Sequence, residues 1–328
     1  MTAKSNSPSG PTASHLDVSK SATARSRVKD TETVEVGEGV FAYLQRDGSW
    51  YLNNAGIIPD RKLSYLIDSA ATITRTRALI AEARRLGVGD RVGMVATHHH
   101  GDHTNGNAFI DPSFLISHAA VPDELKQGFA VPPAGLFTAV DWGEIELRPP
   151  DITFARELTL EIGGRRVELR HLGYPAHTLG DCVVYFPDDR LLFAGDLAFE
   201  GGTPFALMGS VRGWLACLGE LRLLDVETVV PGHGEICAMG VFDDAERYLR
   251  FVLDLAERAT DAAITPLEAA YDSDLGEFAD WHNQERIVGN LHRAMAELSG
   301  TESGGTVDVA MAFADMVTYN GGPLTCFA

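Results

Sequence analysis

The 328-residue sequence has no apolar run approaching the roughly 18–20 residues that cross a bilayer, so no helical membrane span is expected. Its first 30 residues contain no apolar stretch of the signal-peptide kind, and a cytoplasmic location is expected. Cysteine is scarce. Cys182, Cys217, Cys237 and Cys326 form no C-x-x-C pair, which excludes a dense disulfide framework and gives thiolate metal ligation little support. Positive charge is missing from the body of the chain. Residues 1–30 carry five basic and two acidic side chains; the remainder carries 22 basic against 44 acidic, a net −22. So acidic a surface is a poor partner for phosphate backbones, and nucleic acid is not expected to bind.

What is present is ordinary globular composition, 45% hydrophobic and 22% charged, in a chain long enough for a substantial core. Residues 1–31, rich in Ser, Thr, Ala and Lys, read as a disordered tail. Residues 32–240 read as an α/β body. Strand-like runs fall at 39–44, 50–58, 63–68, 92–96, 152–154, 158–162, 166–172, 182–186, 191–194 and 226–230, with amphipathic helices from Thr72 to Gly87 and over 211–224. From 241 to 328 the period is helical, with Tyr248, Val252 and Leu255 on one face and Val288, Leu291, Met295 and Leu298 on another. Helical tails can pair, which leaves a homodimer open.

The apolar run Val92–Ala96 ends in Thr97-His98-His99-His100-Gly101-Asp102-His103. Three histidines and an aspartate at these spacings arise by chance about once in 1,000 such chains. The cluster sits on a loop at a strand's carboxyl end, and Gly101 lets the backbone turn, so two ligand pairs can aim at two adjacent metal positions. His177, Asp196 and His233 each lie near a small residue at the end of a later strand-like run. The seven groups supply five imidazoles and two carboxylates, a set suited to zinc or another borderline divalent ion. Singly, each of the last three would read as a turn, cap or surface residue; in this order and with the cluster, they read as ligands.

The pattern resembles the metallo-β-lactamase superfamily over roughly residues 32–240. The resemblance implies an αββα sandwich with a helical C-terminal region and a dinuclear site holding two divalent ions, zinc foremost. By it, His98, His100 and His177 hold one metal, Asp102, His103 and His233 hold the other, and Asp196 bridges them. An aspartate bridge is similar to the glyoxalase-II and lactonase branches, and His100 in place of glutamate separates the chain from the di-iron branch. The segments 141–150, 203–207 and 319–322 further resemble type II aromatic polyketide cyclases of the actinorhodin ring-cyclase kind. That resemblance implies aldol cyclisation and thioester hydrolysis of a polyketide carried on an acyl carrier protein. The alternative is a generic dinuclear-metal hydrolase of lactones or glutathione-type thioesters.

The chemistry follows from such a site. Two metals acidify water and polarise a carbonyl, and Asp102 is both ligand and candidate proton acceptor, with Asp196 as its bridging partner in catalysis. Trp142, Phe199 and Phe205 are candidates to wall a planar substrate, whereas Trp214, on a helix face, reads as core. Asn54 and Tyr319 could touch polar substrate groups, and Arg61, Lys62, Arg84 and Arg85 could form a basic docking patch. For these residues a turn, a helix end or a solvated surface explains them as well. A closed four-ligand structural metal module is disfavoured by seven ligands.

Overall fold

The computed structural model describes residues 31–128 and 131–328, so the expected tail falls outside the described residues except for Thr31. β1 (Thr31–Gly37), β2 (Val40–Gln45), β3 (Ala55–Ile58) and β4 (Ser64–Ile67) run antiparallel in turn. α1 (Ile73–Arg85) then returns the chain so that β5 (Val92–Val95) lies parallel to β4. After the short helices α2 (Gly101–Thr104) and α3 (Asn107–Ile110), β6 (Phe114–His118) adds in parallel; α4 (Val121–Gln127) follows, and β7 (Ile152–Phe154) completes a seven-stranded sheet.

A second sheet mirrors this plan. β8 (Glu157–Ile162), β9 (Arg165–Arg170), β10 (Val183–Phe186) and β11 (Leu191–Phe199) run antiparallel. α5 (Val211–Leu221) crosses over, and β12 (Thr228–His233) pairs parallel with β11, giving the order β12-β11-β10-β9-β8. Four helices follow: α6 (Gly240–Ala262), α7 (Pro266–Tyr271), α8 (Arg286–Leu298) and α9 (Val309–Tyr319).

Apolar alternation explains the layering. Leu44, Ile67, Val95 and Ile116 of the first sheet meet Leu169, Val184, Phe193 and Val230 of the second in one buried cluster. The outer face of the first sheet, with Ile57, Leu66 and Met94, packs on Leu79 and Ala83 of α1. The outer face of the second, with Tyr185, Leu192 and Val229, packs on α5, α6 and α8 through Trp214, Leu218, Tyr248 and Leu291. Burial of each large apolar side chain contributes about 1.5–3 kcal/mol. The result is the expected αββα sandwich with C-terminal helices. α1 starts where expected because the Thr72 hydroxyl accepts from the Arg75 N–H (3.2 Å). Among the described residues no helix is long and apolar enough to cross a membrane.

One expectation is corrected. The run 50–58 is strand only from Ala55, because its first half carries buried polar side chains with other work to do. Asn54 donates from its side chain to the Pro231 and Gly234 carbonyls (2.9 Å each), and its backbone N–H donates to Gly232 O (2.7 Å). The segment therefore ties the first sheet to the loop after β12. The last residues of the C-terminal region are bound to the sandwich. Leu324 pairs with the 136–138 segment, accepting from Thr138 N–H (2.8 Å) and donating to Leu136 O (2.9 Å). The Arg75 guanidinium, 2% exposed, donates to Gln45 Oε1 (2.8 Å) and Phe327 O (2.6 Å).

Arg75→Met should therefore lower stability by about 3 kcal/mol, since hydrogen bonds to a charged group contribute about 1.5–3 kcal/mol each. Urea unfolding followed by far-ultraviolet circular dichroism measures this, and a loss under about 0.5 kcal/mol would remove the anchoring role.

Candidate metal centre

Two of the parallel strand pairs, β4–β5 and β11–β12, end at the same edge of the sandwich. Carboxyl ends of parallel strands are where α/β sheets commonly build sites. His98 and His100 follow β5 on the turn into α2, Asp102 and His103 lie in α2, Asp196 lies within β11, His233 closes β12, and His177 comes from the loop between β9 and β10. The structure gathers all seven. Donor atoms of His98, His100, His177 and Asp196 lie within 4.8 Å of one another, as do those of Asp102, His103 and His233. Asp196 reaches both groups: its Oδ2 is 3.2 Å from His177 Nε2 and 3.4 Å from His233 Nε2, and its Oδ1 is 3.0 Å from His103 Nε2.

Two glycines permit this convergence. Gly195 has φ +52, and a Cβ there would meet Thr97 Cβ at 2.8 Å. At Gly232 a Cβ would collide with Asp196 Oδ1. Only bare backbone lets β11 and β12 close around the carboxylate.

Hydrogen bonds fix the ring tautomers. His177 Nδ1–H donates to the Phe205 carbonyl (2.5 Å), because a carbonyl can only accept; Nε2 is left with its lone pair toward the cluster. That Nε2 lies 2.7 Å from His100 Nδ1. His103 Nδ1–H donates to Asp68 Oδ2 (2.8 Å), freeing Nε2 in the same way. The Thr97 hydroxyl donates to Asp68 Oδ2 (2.7 Å), so its oxygen accepts from His98 Nδ1–H (3.1 Å). His98 Nε2, His103 Nε2 and Asp196 Oδ1 are buried without a hydrogen-bond partner among the described residues. Convergent, unpartnered imidazole lone pairs around carboxylates fit two divalent ions of the borderline class.

The electrostatics are consistent. Burial, and then the neighbouring imidazoles, pushes His98 and His100 well below the ordinary imidazole value. Burial would raise Asp196, but His233, His103, His177 and His98 outweigh it and hold the carboxyl well below its usual range. For His103 and His233 burial is outweighed in the other direction: Asp196 first, with Asp68 and Asp102 for His103 and Asp102 for His233, raises both.

The centre opens onto a cavity of about 770 Å³. Phe199 and Phe205 line it, as do Tyr51, Phe137, Phe313 and Val317. Trp142 stands one layer back, edge-on to Tyr51 with centroids 4.8 Å apart. Trp214 is fully buried beside His177 (5.8 Å), as a core residue would be. Tyr319 packs on Tyr271 (5.1 Å), and Asn54 is spent on the loop carrying His233. His99 Nδ1 is 3.2 Å from Glu124 Oε1, outside both donor groups. Arg85 pairs with Glu82, while Arg61 and Lys62 border a separate cleft of about 690 Å³. All four cysteines are free thiols, and none joins the donor groups.

Sequence reasoning passed over Asp68 and Tyr51. Asp68 had a signal: it stands directly at the end of an apolar strand.

The family described as the metallo-beta-lactamase superfamily matches residues 48–233, more than half of the chain. A hydroxyacylglutathione hydrolase of Methylococcus capsulatus is 31% identical over 164 residues, 50% of this chain and 54% of that protein. A linear primary-alkylsulfatase of a Pseudomonas species is 24% identical over 210 residues, 52% of this chain and 39% of that one. A probable metallo-hydrolase of Methanocaldococcus jannaschii is 27% identical over 217 residues, 63% of this chain and 99% of that protein. The chain thus spans about half or less of the first two relatives. Among solved structures, a metallo-beta-lactamase from Pontibacter korlensis superposes with a TM-score of 0.56 at 20% identity, covering 67% of this chain and 99% of its own. The DIM-1 metallo-beta-lactamase gives 0.54 at 20% identity over 68% and 98%. At that identity the likeness is one of fold.

Two outcomes follow. Asp68→Asn should leave the fold intact but weaken zinc binding by about 10–100-fold in calorimetric titration, the cost of losing a ligand-orienting carboxylate. Because His103 and His233 hold their protons to higher pH than an ordinary imidazole, a metal at that position must displace them. Zinc affinity there should rise with pH, with proton release visible as a buffer-dependent binding enthalpy. An enthalpy identical in phosphate and Tris would contradict it.

Proposed function

The chain belongs to the metallo-β-lactamase superfamily, and from that membership we propose that it is a dinuclear-metal hydrolase of a thioester or ester with a bulky apolar acyl group. One observation carries the reading: two donor groups sharing Asp196 open directly onto an apolar cavity large enough for a multi-ring substrate. The hydroxyacylglutathione hydrolases among the relatives support the hydrolytic part.

When bound, two divalent metals supply Lewis acidity for the acyl oxygen and lower the pKa of water. The chain's own residues do the rest. His98, His100 and His177 would hold one ion, Asp102, His103 and His233 the other, and Asp196 both. Asp102, 7% exposed with Oδ2 3.2 Å from His233 Nε2, lies on the cavity wall and can accept a proton from the attacking water. Phe205 has two roles: its carbonyl orients His177 while its ring walls the substrate. Phe137, Phe313 and Val317 exclude bulk water and seat the acyl group.

A second reading is aldol cyclisation of a poly-β-ketone thioester on an acyl carrier protein, followed by its release. It is favoured by the origin of the cavity wall. Phe313 and Val317 come from α9, outside the family-matched span, and Phe205 from a segment resembling aromatic polyketide cyclases. The same donors would then polarise a ketone and stabilise its enolate.

With zinc-loaded protein, kcat/KM for an S-benzoyl thioester of N-acetylcysteamine should exceed that for S-lactoylglutathione by about tenfold or more. Asp196→Ala should lower both by more than about a hundredfold. No turnover of any thioester, ester or lactone by metal-loaded protein would sink the hydrolase reading. Mass spectrometry of a supplied poly-β-ketone thioester separates the two: an aromatic ring lost in the Asp196 variant favours cyclisation, and an open-chain acid favours hydrolysis alone.

A further inference from the structure

Arg286 is out of keeping with its surroundings. It opens α8, is 2% exposed and lies on the wall of the cavity. Its guanidinium carbon is 4.0 Å from the Trp50 ring centroid and 5.0 Å from that of Phe199. Phe199 in turn stacks on His233, with centroids 5.2 Å apart and planes within 7°. Arg286 is therefore one aromatic ring away from a metal-donor imidazole.

A guanidinium has five N–H donors. Arg286 uses one hydrogen bond, from Nη1 to Thr203 O (2.8 Å), and Nε is buried without a partner among the described residues. No carboxylate of the described residues forms an ion pair with it. The neighbouring Glu285 acts on it through its charge but makes no ion pair with it, accepting instead from Trp50 Nε1 (2.6 Å). Arg293, on the same helix and also at the cavity, shows the contrast: Nε and Nη2 both donate to Leu207 O (3.0 and 2.7 Å), and Nη1 donates to Gly305 O (2.6 Å). Arg293 commits all three of its nitrogens to holding loops, whereas Arg286 commits one.

A buried charge without an ion-pair partner is strongly destabilising. In the metal-free protein the charge of Glu285 first, and then those of the two metal-site carboxylates Asp196 and Asp102, offset part of that cost. Two bound divalent ions would more than neutralise those carboxylates, leaving Arg286 beside a cationic centre at the inner end of an apolar cavity. An anionic group on a bound ligand would pair with the guanidinium there.

We propose that Arg286 is the anion anchor of this cavity, and that the substrate is an apolar acyl compound carrying a second, anionic oxygen, a carboxylate or an enolate, near the group cleaved at the metal centre. This deepens the hydrolase reading by naming the substrate class. It takes from that reading only that the cavity seats the substrate. Arg286 acts here as a positioning and specificity residue, with the two aromatic rings holding the guanidinium in place by cation–π contact.

The test reads binding, so it stands apart from the test of hydrolysis. Zinc-loaded protein is titrated with 1-naphthoate and with its neutral isostere 1-naphthamide. The wild-type protein should prefer the carboxylate by about tenfold or more, as charge-assisted bonds require. Arg286→Gln, which keeps a donor for Thr203 O, should bind the two within about twofold at unchanged zinc content. An undiminished preference in that variant would assign the anion to the metals and overturn the proposal. The enolate of 2-phenyl-1,3-indandione, in the same pair of proteins, tells which anion fits better: the larger loss on Arg286→Gln marks the preferred class. If the variant does not fold, the side-chain ¹⁵N spectrum of arginine-labelled wild-type protein decides. Naphthoate, and not naphthamide, should shift the Arg286 Nε–H resonance; no shift overturns the proposal.

Discussion

The carboxylate of Asp68 sets the geometry of the whole centre. It is 2% exposed, at φ +61 just past the end of β4. It accepts from Thr97 N–H (2.7 Å), the Thr97 hydroxyl (2.7 Å) and His103 Nδ1–H (2.8 Å). Directly it fixes the tautomer of His103, and through the Thr97 hydroxyl that of His98. One donor in each metal group thus receives its orientation from one carboxylate that itself binds no metal. The left-handed backbone costs of order 1 kcal/mol, and three hydrogen bonds to a buried charge outweigh it.

That carboxylate acts within a larger constraint. The donors come from both sheets: the His98–His103 segment follows β5, and Asp196 and His233 belong to β11–β12. The sheets must therefore be packed in register before the site exists, and the apolar layer between them is what sets that register. Asn54 strengthens the link at the edge, reaching across to the carbonyls of the loop carrying His233. Metals bound between the sheets would in turn clamp them, because ions that bind only the folded state stabilise it by mass action.

The legible part of the site was the part written in contiguous or repeated form. His98, His100, Asp102 and His103 occupy six positions, and His177, Asp196 and His233 each follow a strand-like run, so pattern and order sufficed. Asp68 was harder to read, because one acidic residue at a turn is commonplace and its meaning lies in a bond to a strand thirty residues on. Tyr51 was missed because the run 50–58 reads as continuous strand, whereas its residues 50–54 leave the sheet and Tyr51 turns into the left-handed region. Trp142 was chosen by size, yet it is Tyr51 that separates it from the cavity. Arg286 carries no local signal, since an arginine opening an amphipathic helix ordinarily faces water. The fold class was readable through strand spacing and one helix period, while the short β6 and α2–α4 lay below what periodicity resolves.

The donors and the cavity wall occupy different stretches of chain. Every candidate ligand has been made by His233, whereas Arg286, Phe313 and Val317, with Leu324 pairing onto the 136–138 segment, come later. During vectorial synthesis the donor set is therefore complete before the residues that close the cavity have been added, and the order of the chain puts the parts that hold metal ahead of the parts that select what reaches it.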